Sequence, residues 1–358
     1  MKNTIPFLSE ENLMNAYRLA YKTRKHKSEI QDFLQNESEN LRSILSDLRD
    51  HTYVHAPYRT LIINDSKKRH ISSPIFRDHI VHHMLHNVLY DVLDRRIPFQ
   101  SFATRKGKWL HSALKYLAWS LQKLDRETKW YFCKIDVSKY FFSISHDLLR
   151  DRIFRLVKNP DICSAVSMVL ASYTTSEIYD HLFVPDSHYR CTPDKWLPIG
   201  AIISQLFANF YLANMDHYIQ RVVWPQIYIR YMDDIFFVWE KEVIVQYKCA
   251  IIAYLTDELQ LHVVPRKVVI NTIDHGCTFI GYYLKKTSTW VTVAVSRKNK
   301  WKFWKFMDIL TTLDMTCFSR DDTIRIQSAY ESRKSHFVHT GDCTAYFHTD
   351  DKNNGLLV

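Results

Sequence analysis

The chain has 358 residues, 46% of them apolar, so it can bury a large core that divides into subdomains. Its formal net charge of +10 favours a polyanionic partner, of which nucleic acid is the commonest. The seven cysteines are far apart and form no Cys-x-x-Cys pair, which argues against a structural zinc site and a disulfide framework. No signal peptide and no membrane-spanning apolar run are evident, so we expect a cytoplasmic protein with no membrane partner.

The first half of the chain alternates helical periodicity with short β-type runs. Residue 130 begins an aromatic and β-branched segment around a single charge, which is typical of a buried strand. The pattern predicts, in chain order, helix over 10–50, two strands joined by a basic turn over 58–74, helix over 77–94 and 109–124, a strand over 130–137, further helix, and a polar stretch near 174–196.

The second half begins with a predicted amphipathic helix over 204–220. A hairpin over 227–242 follows, then helix, then short strands to about residue 293, and the last 60 residues are predicted to be mostly helical. In that last part the spacing of Phe303, Phe306, Met307 and Leu310 predicts one core-facing stripe.

The hairpin "IYIRYMDDIFFVWEKE" places two aspartates, Asp233 and Asp234, at its tip. Asp-Asp pairs are common in turns because the side chains hydrogen-bond nearby backbone, so the pair alone is not diagnostic. Asp136, however, also ends an apolar strand, which is an expensive place for an uncompensated carboxylate. Three carboxylates brought together would repel unless divalent cations lay between them, and Mg²⁺ prefers such oxygen ligands. The sequence therefore predicts a two-metal site for phosphoryl displacement.

Seven segments in order over about residues 55–284 give the chain a resemblance to reverse transcriptases. They are "DSKKRHISSPIFRDHIVHHML", "SFATRKGKWLHSAL", "KIDVSKYFFSI", "LPIGAIISQLFANFYL", "YMDD", "ELQLHVVPRKVVI" and "FIGYYL".

The resemblance implies an α+β right-hand polymerase with an antiparallel palm sheet and a helical thumb. It also implies an RNA-directed DNA polymerase using two Mg²⁺ ions, with Mn²⁺ as a substitute, and the partners template RNA, RNA/DNA duplex and dNTPs. The expected divisions are an N-terminal helical extension over 1–50, fingers over 51–129, palm over 130–150, a palm–fingers connection over 151–196, palm over 197–284 and thumb over 285–358.

The same resemblance implies roles for individual residues. Taken alone, Phe141 could be core, Gly200 a helix-start turn, and Lys68 and Arg69 a solvated turn. The expected catalytic residues and metal ligands are Asp136, Asp233 and Asp234, with Val137 as a further metal ligand. The expected nucleotide-binding residues are Lys68, Arg69, Phe141 (a steric gate against the ribose 2′-hydroxyl), Gly200, Gln205 and Lys267. The expected template–primer residues are Tyr231, Met232, Ile280, Gly281, Lys298, Lys302 and Lys305.

The subtype is predicted from Ile199 before Gly200 and from Ser204-Gln205 at the end of that block, which resemble diversity-generating retroelement reverse transcriptases. Such enzymes make error-rich cDNA with a small helical accessory protein. Retrons fit less well, and 358 residues leave little room for the added segments of group II intron enzymes. A defence-associated reverse transcriptase copying a dedicated non-coding RNA and a catalytically silent RNA-binding scaffold remain the alternatives.

Two further patterns concern nucleic acid. His79, His83 and His86 could line one helix face, but no fourth zinc ligand is identifiable, so we expect a polar fingers helix near nucleic acid. Lys298, Lys302 and Lys305 form a basic stripe that suits a thumb following a duplex backbone, with a merely solvated face as the alternative.

Overall fold

The computed structural model describes residues 5–22, 28–65, 67–173, 194–287, 290–312 and 320–338. The predicted polar stretch near 174–196 lies mostly outside these ranges, as do the last 20 residues. None of the helices in the described part of the chain has the length and apolar character needed to cross a bilayer.

Helices surround the sheets and make up most of the first half and the C-terminal part of the described chain. Asn159 illustrates how the sequence sets a helix start, since its side chain accepts a hydrogen bond from the N–H of Ile162 while Pro160 occupies the first turn. The helices are α1 (Glu10–Lys22), α2 (Ser28–Gln35), α3 (Glu37–Arg49), α4 (Phe76–Asp94), α5 (Leu110–Lys123), α6 (Tyr140–Ser143), α7 (His146–Leu156), α8 (Pro160–Ala171), α9 (Ile202–Tyr211), α10 (Ala213–Tyr218, continued by a π-helical turn, Ile219–Val223), α11 (Lys241–Ala253, continued by a π-helical turn, Tyr254–Glu258), α12 (Arg297–Thr312) and α13 (Arg320–Val338).

The described strands form three antiparallel sheets, as expected for an α+β protein. One sheet has two strands (β1 and β2), one has four in the order β4-β5-β3-β6, and one has three in the order β7-β8-β9. The strands are β1 (Arg59–Asp65), β2 (Lys67–Ser73), β3 (Tyr131–Asp136), β4 (Ile227–Tyr231), β5 (Asp234–Trp239), β6 (Val268–Thr272), β7 (Cys277–Phe279), β8 (Tyr282–Lys286) and β9 (Val291–Val295).

In the four-stranded sheet, β4, β5 and β3 are largely buried on both faces, whereas Val269 and Asn271 of the edge strand β6 are exposed. Ile235 and Phe237 of β5 pack into one hydrophobic cluster with α4 and α9, whereas the alternating residues Phe236 and Val238 pack into a second cluster with α5 and β7–β9. Successive side chains of a strand point to opposite faces, so each face needs its own apolar set. This explains why β5 is an unbroken apolar run after its first residue, Asp234.

The structure corrects the expectation of a polar, nucleic-acid-facing helix over 77–94. Helix α4 is central, since it packs against α1, α2, α3, α8 and α9, and its His79 and His82 are buried. The Nε2 atoms of His82 and His55 lie 3.2 Å apart, and burial lowers the pKa of His82 well below its usual value. A neutral, paired histidine can replace an apolar residue in a core, so His82 belongs to the interior, whereas His83 and His86 are half-buried.

Two further expectations change in detail. The basic residues Lys67, Lys68 and Arg69 lie within strand β2 rather than in a turn, because pairing with β1 continues to Asp65 opposite Lys67. The predicted amphipathic helix is α9 plus α10, and nearly all of α9 is buried, with Gln205 as an exposed exception.

The C-terminal helices pack against each other through part of the predicted stripe. Phe303 is buried with its ring 4.7 Å from that of Phe337, and Met307 packs against the same cluster. Phe306 and Leu310 are half-buried, and the Arg333 guanidinium lies 4.2 Å from the Phe306 ring.

A backbone contact joins β2 to the segment that precedes α9. The N–H of Ser72 donates to the carbonyl of Ile199 at 2.8 Å, and the next residue, Gly200, has φ +129°. A Cβ on Gly200 would lie 2.9 Å from Ile71 Cγ2 and 3.0 Å from the carbonyl oxygen of Ser72. Glycine is therefore required here both by conformation and by the close approach of β2.

We predict that Gly200→Ala lowers the free energy of unfolding by about 2–4 kcal/mol, since it adds a backbone strain and a steric clash. The matched control is Gly107→Ala, at φ +73° with open space around the added methyl group. That variant should lose only the backbone term, about 1–2 kcal/mol. Equal losses for the two variants in denaturant titrations would show that the contact with β2 is not close.

Candidate active site

The site begins with two carboxylates that the sheet places side by side. Asp136 is the last residue of β3 and Asp234 is the first of β5, and the two are directly opposite in the antiparallel register. Directly paired positions project to the same face with Cβ atoms about 5 Å apart. Like charges at such a pair are destabilising, so the arrangement calls for a nearby positive charge.

The third carboxylate comes from the turn between β4 and β5. Tyr231 pairs with Asp234, which leaves Met232 and Asp233 as a two-residue loop. Met232 has φ +55°, as the first central residue of a type II′ hairpin requires, although glycine is the residue that adopts it without cost. The N–H of Val137, the residue after Asp136, donates to the carbonyl of Asp233 at 3.4 Å and ties the turn to β3.

Two lysines supply positive charge to the outer carboxylates. Lys267 Nζ donates to Asp136 Oδ1 at 2.7 Å, and Lys134 Nζ lies 3.1 Å from Asp234 Oδ1. All four side chains are partly exposed, so solvent weakens both ion pairs.

Asp233 is the carboxylate with the most perturbed environment. Burial, together with the negative charges of Asp234 and Asp136, raises its pKa to about 6. Lys267 acts in the opposite direction but does not offset these effects. The turn therefore concentrates negative charge that a bound cation would relieve.

The donor set is of the kind that divalent cations prefer, since Asp136 at the end of β3 is opposite Asp234 and Asp233 lies in the adjoining β4–β5 turn. Among the described residues, no group of three or more His, Cys, Asp or Glu side chains is arranged to hold a metal ion as it stands. Lys134 and Lys267 each occupy a carboxylate oxygen that a cation would need.

Phe141 and the Gly200 segment lie next to each other beyond β3. Phe141 belongs to the short helix α6, is half-buried, and its carbonyl accepts a hydrogen bond from the N–H of Leu197 at 2.7 Å. Ile199, two residues further, is also half-buried, and Gln205 is exposed in the first turn of α9. The structure thus brings the expected gate and the expected nucleotide-binding block together through backbone contacts.

The other expected nucleotide-binding residues, Lys68 and Arg69, lie in β2 opposite Asn64 and Ile63. The roles expected for their side chains fall outside what the structure describes.

The expected template–primer residues form a second group. Ile280 and Gly281 make the two-residue turn between β7 and β8, with φ +42° and +90°. The Gly281 carbonyl accepts from Ser296 N at 3.0 Å and from Asn299 Nδ2 at 3.2 Å, which fixes the turn to the start of α12. On α12, Lys298 and Lys305 are exposed and Lys302 is half-buried.

The turn between β7 and β8 is connected to the carboxylates by packing of β7 against β5. The Phe279 ring of β7 lies 5.5 Å from that of Phe236, two residues after Asp234. Tyr231 is half-buried against the same cluster.

Three charged residues that support the site were not predicted from the sequence. Lys134 is the single cation within β3, Arg230 is a lone cation within β4, and Asp216 is a lone acid within α10. Arg230 and Asp216 are fully buried and form an ion pair of 2.6 Å. An isolated charge in an apolar element requires a partner, so the sequence does contain a signal for these three residues.

Comparison with known proteins gives matches over the middle of the chain. Residues 63–284 match the family described as reverse transcriptase (RNA-dependent DNA polymerase). The group II intron-encoded protein LtrA of Lactococcus lactis subsp. cremoris is 25% identical over 185 residues, which is 51% of this chain and 28% of that protein. A putative COX1/OXI3 intron 1 protein of Saccharomyces cerevisiae is 24% identical over 145 residues, 40% of this chain and 16% of that protein.

The chain therefore spans less than a third of the length of these curated relatives. Among solved structures, apo telomerase from Candida tropicalis aligns with 10% identity and a TM-score of 0.49, covering 67% of this chain and 48% of that one. The family match extends over more than half of the chain and includes every strand of the four-stranded sheet. This chain belongs to the reverse transcriptase family and has its α+β right-hand polymerase fold.

Proposed function

We propose that this protein is an RNA-directed DNA polymerase whose nucleotidyl transfer takes place at Asp136, Asp233 and Asp234. The observation that supports it most directly is the register of β3 and β5, which sets Asp136 opposite Asp234 with Asp233 in the adjoining turn. A scaffold that only binds RNA has no use for three converging carboxylates that repel one another.

The carboxylates would hold two Mg²⁺ ions, with Mn²⁺ as a substitute and the Val137 carbonyl as a further ligand. Cations bound there would activate the attacking 3′ oxygen of a primer and stabilise the leaving oxygen of a dNTP. The chain's own contribution is to fix the ligands at the ends of β3 and β5, which pack into apolar clusters on both faces, because a rigid support limits misplacement of the reacting groups.

Lys134 and Lys267 have a role before the nucleotide arrives. Each neutralises one carboxylate in the absence of other cations. Once Asp136 is engaged elsewhere, Lys267 becomes a free cation beside the site and can pair with the triphosphate of the dNTP. Lys68 and Arg69 at the end of the β1–β2 hairpin would approach the same triphosphate.

The sugar and the base would lie between Phe141 and the Ile199–Gly200 segment. Because Leu197 is bonded to the Phe141 carbonyl, the two walls are held at a fixed separation. A ring at Phe141 would exclude a 2′-hydroxyl by steric contact, which favours dNTPs over rNTPs.

The divisions proposed for the chain follow from these positions. Residues 51–129 would be the fingers, 130–150 and 197–284 the palm with 151–196 as its connection, and 285–358 the thumb, while residues 1–50 precede the fingers. The thumb helix α12 would place Lys298, Lys302 and Lys305 on the phosphates of an RNA/DNA duplex. Since Gly281 is bonded to the start of α12, the primer-contacting turn and this basic face would move together.

We predict that Asp233→Asn reduces dNTP incorporation on an RNA template by about 10³-fold or more, because it removes a charged metal ligand. The fold should be retained, since the substitution relieves repulsion with Asp234 and Asp136. The matched control is Asp91→Asn, which neutralises an exposed aspartate on α4 and should leave incorporation unchanged. Primer extension at fixed Mg²⁺ measures both; near wild-type extension by Asp233→Asn would refute the two-metal proposal.

For the subtype, we propose the error-prone reverse transcriptase of a diversity-generating retroelement, acting with a small helical accessory protein. Ile199 is the residue on which this depends, because its side chain offers no hydrogen bond to a nascent base pair. Its carbonyl is already held by Ser72, so a substitution there changes the side chain of the pocket while keeping the backbone contact.

We predict that Ile199→Gln lowers misincorporation on an RNA template, most visibly opposite adenine, since a polar contact that differs between correct and incorrect pairs raises selectivity. Ile199→Leu is the matched control and should keep the wild-type error spectrum. Sequencing of cDNA at matched yield gives the comparison. An unchanged spectrum from a stable Ile199→Gln protein would reject the mutagenic subtype and favour the defence-associated alternative.

A further inference from the structure

Arg230 is a fully buried arginine two residues from the catalytic turn. A guanidinium has five N–H donors and no acceptor, and an unpaired buried charge is strongly destabilising. The acceptors that these donors bind therefore show which groups Arg230 holds in place.

All five donors of Arg230 have acceptors. Nε and Nη2 bind the two carboxylate oxygens of Asp216 at 2.7 and 2.6 Å, in a bidentate pair. Nη2 also donates to the carbonyl of Asn209 at 3.1 Å, and Nη1 donates to the side-chain oxygen of Asn209 at 2.9 Å. The fifth bond runs from Nη1 to the carbonyl of Met232, also at 2.9 Å.

The Met232 carbonyl belongs to the peptide that links Met232 to Asp233. Met232 adopts φ +55°, which is unfavourable for a residue with a side chain and persists only where surrounding contacts determine it. The bond from Arg230 acts directly on this strained peptide. The orientation of this peptide sets the direction in which the Asp233 side chain projects.

Arg230 is itself fixed from outside the β4–β5 hairpin. The backbone N–H of Arg230 donates to the Gln100 carbonyl at 2.9 Å, and the backbone carbonyl of Arg230 accepts from the N–H of Phe102 at 3.0 Å. Asn209 is held in turn by Ser101 Oγ and by the Ala103 carbonyl. The guanidinium thus connects the segment 100–103 and the helices α9 and α10 to the turn.

We propose that Arg230 is a positioning residue that sets the conformation of the Met232–Asp233 peptide, and that Asp216 and Asn209 orient its guanidinium for this task. The consequence for catalysis rests on the proposed polymerase function. The effect on the turn is a property of the protein without nucleotide or metal, so it can be tested separately.

The test uses Arg230→Lys, which keeps a positive charge for Asp216 but lacks the planar fork that also reaches Met232 and Asn209. The control is Tyr228→Phe, which removes the 2.5 Å hydrogen bond from the Tyr228 hydroxyl to Asp216 and leaves the Met232 contact intact. Both changes disturb the hydrogen bonds of Asp216. If Arg230 only stabilised the core, the two variants would show similar amide exchange in the turn and similar rates of dNTP incorporation.

Two measurements are made on the full chain. Hydrogen exchange of the amides of residues 231–235, without metal or nucleic acid, should be accelerated in Arg230→Lys and unchanged in Tyr228→Phe. Single-turnover dNTP incorporation should fall by roughly 10- to 100-fold in Arg230→Lys, as expected for a misplaced reacting group, with unchanged affinity for template–primer. Tyr228→Phe should stay within about twofold of the wild-type rate, since it loses a single neutral donor.

A second variant provides the test if Arg230→Lys does not fold. Arg230→Met combined with Asp216→Leu removes both charges, a replacement that buried ion pairs often tolerate. It should show the same accelerated exchange in the turn. Wild-type exchange in a folded Arg230→Lys or double variant would overturn the proposal, whereas a wild-type protein that fails to polymerise would overturn only the proposed function.

Discussion

The pairing of Asp136 with Asp234 across adjacent strands is the constraint on which this structure depends. An antiparallel sheet ordinarily gains stability from complementary pairs at such positions, and here two like charges meet with a third beside them. The sheet tolerates them because its strands β3 and β5 pack into separate apolar clusters on their two faces, and because Lys134 and Lys267 neutralise the outer carboxylates. The apolar sequence of β5 and the charged tip of the hairpin are therefore two parts of one arrangement: the core supplies the rigidity that the repelling groups require.

The loops around the carboxylates are held by distant segments of the chain. The β4–β5 turn receives a backbone bond from Val137 and a guanidinium bond from Arg230, which is itself held by Asp216 on α10 and Asn209 on α9. The Ile199–Gly200 segment is bonded to β2, and Leu197 to Phe141. The β7–β8 turn is bonded to the start of α12. Each loop proposed to contact substrate is thus tied to an element from another part of the chain, which suits the proposed binding of a template, a primer and a nucleotide in register.

Much of this could be predicted from the sequence, because strand ends and two-residue turns leave local signals. The position of Asp136 at the end of a strand and of Asp233 in a hairpin turn follows from the abrupt change between apolar and acidic residues, and the structure confirms both. The histidine-rich helix was predicted at the right place, but its surroundings were not, because periodicity cannot distinguish a solvated histidine from one paired in the core, as His82 is with His55. Arg230 was missed for a related reason: its partners, Asn209 and Asp216, lie 21 and 14 residues away in sequence and only the fold brings them together. Local patterns located the three carboxylates, whereas the supporting contacts depend on tertiary structure.

The central claim, that the carboxylates of β3 and the β4–β5 turn form a divalent-metal site, is tested most directly by counting bound ions. Mn²⁺ can be titrated by electron paramagnetic resonance into the protein with an RNA template, a DNA primer blocked at its 3′ end, and the next complementary dNTP. We expect saturable binding of two Mn²⁺ ions beyond those that the nucleic acid and nucleotide bind alone, and loss of this binding in Asp233→Asn. If the wild-type complex bound no additional ions, or if Asp233→Asn bound as many as the wild type, the assignment of these carboxylates as metal ligands would be contradicted.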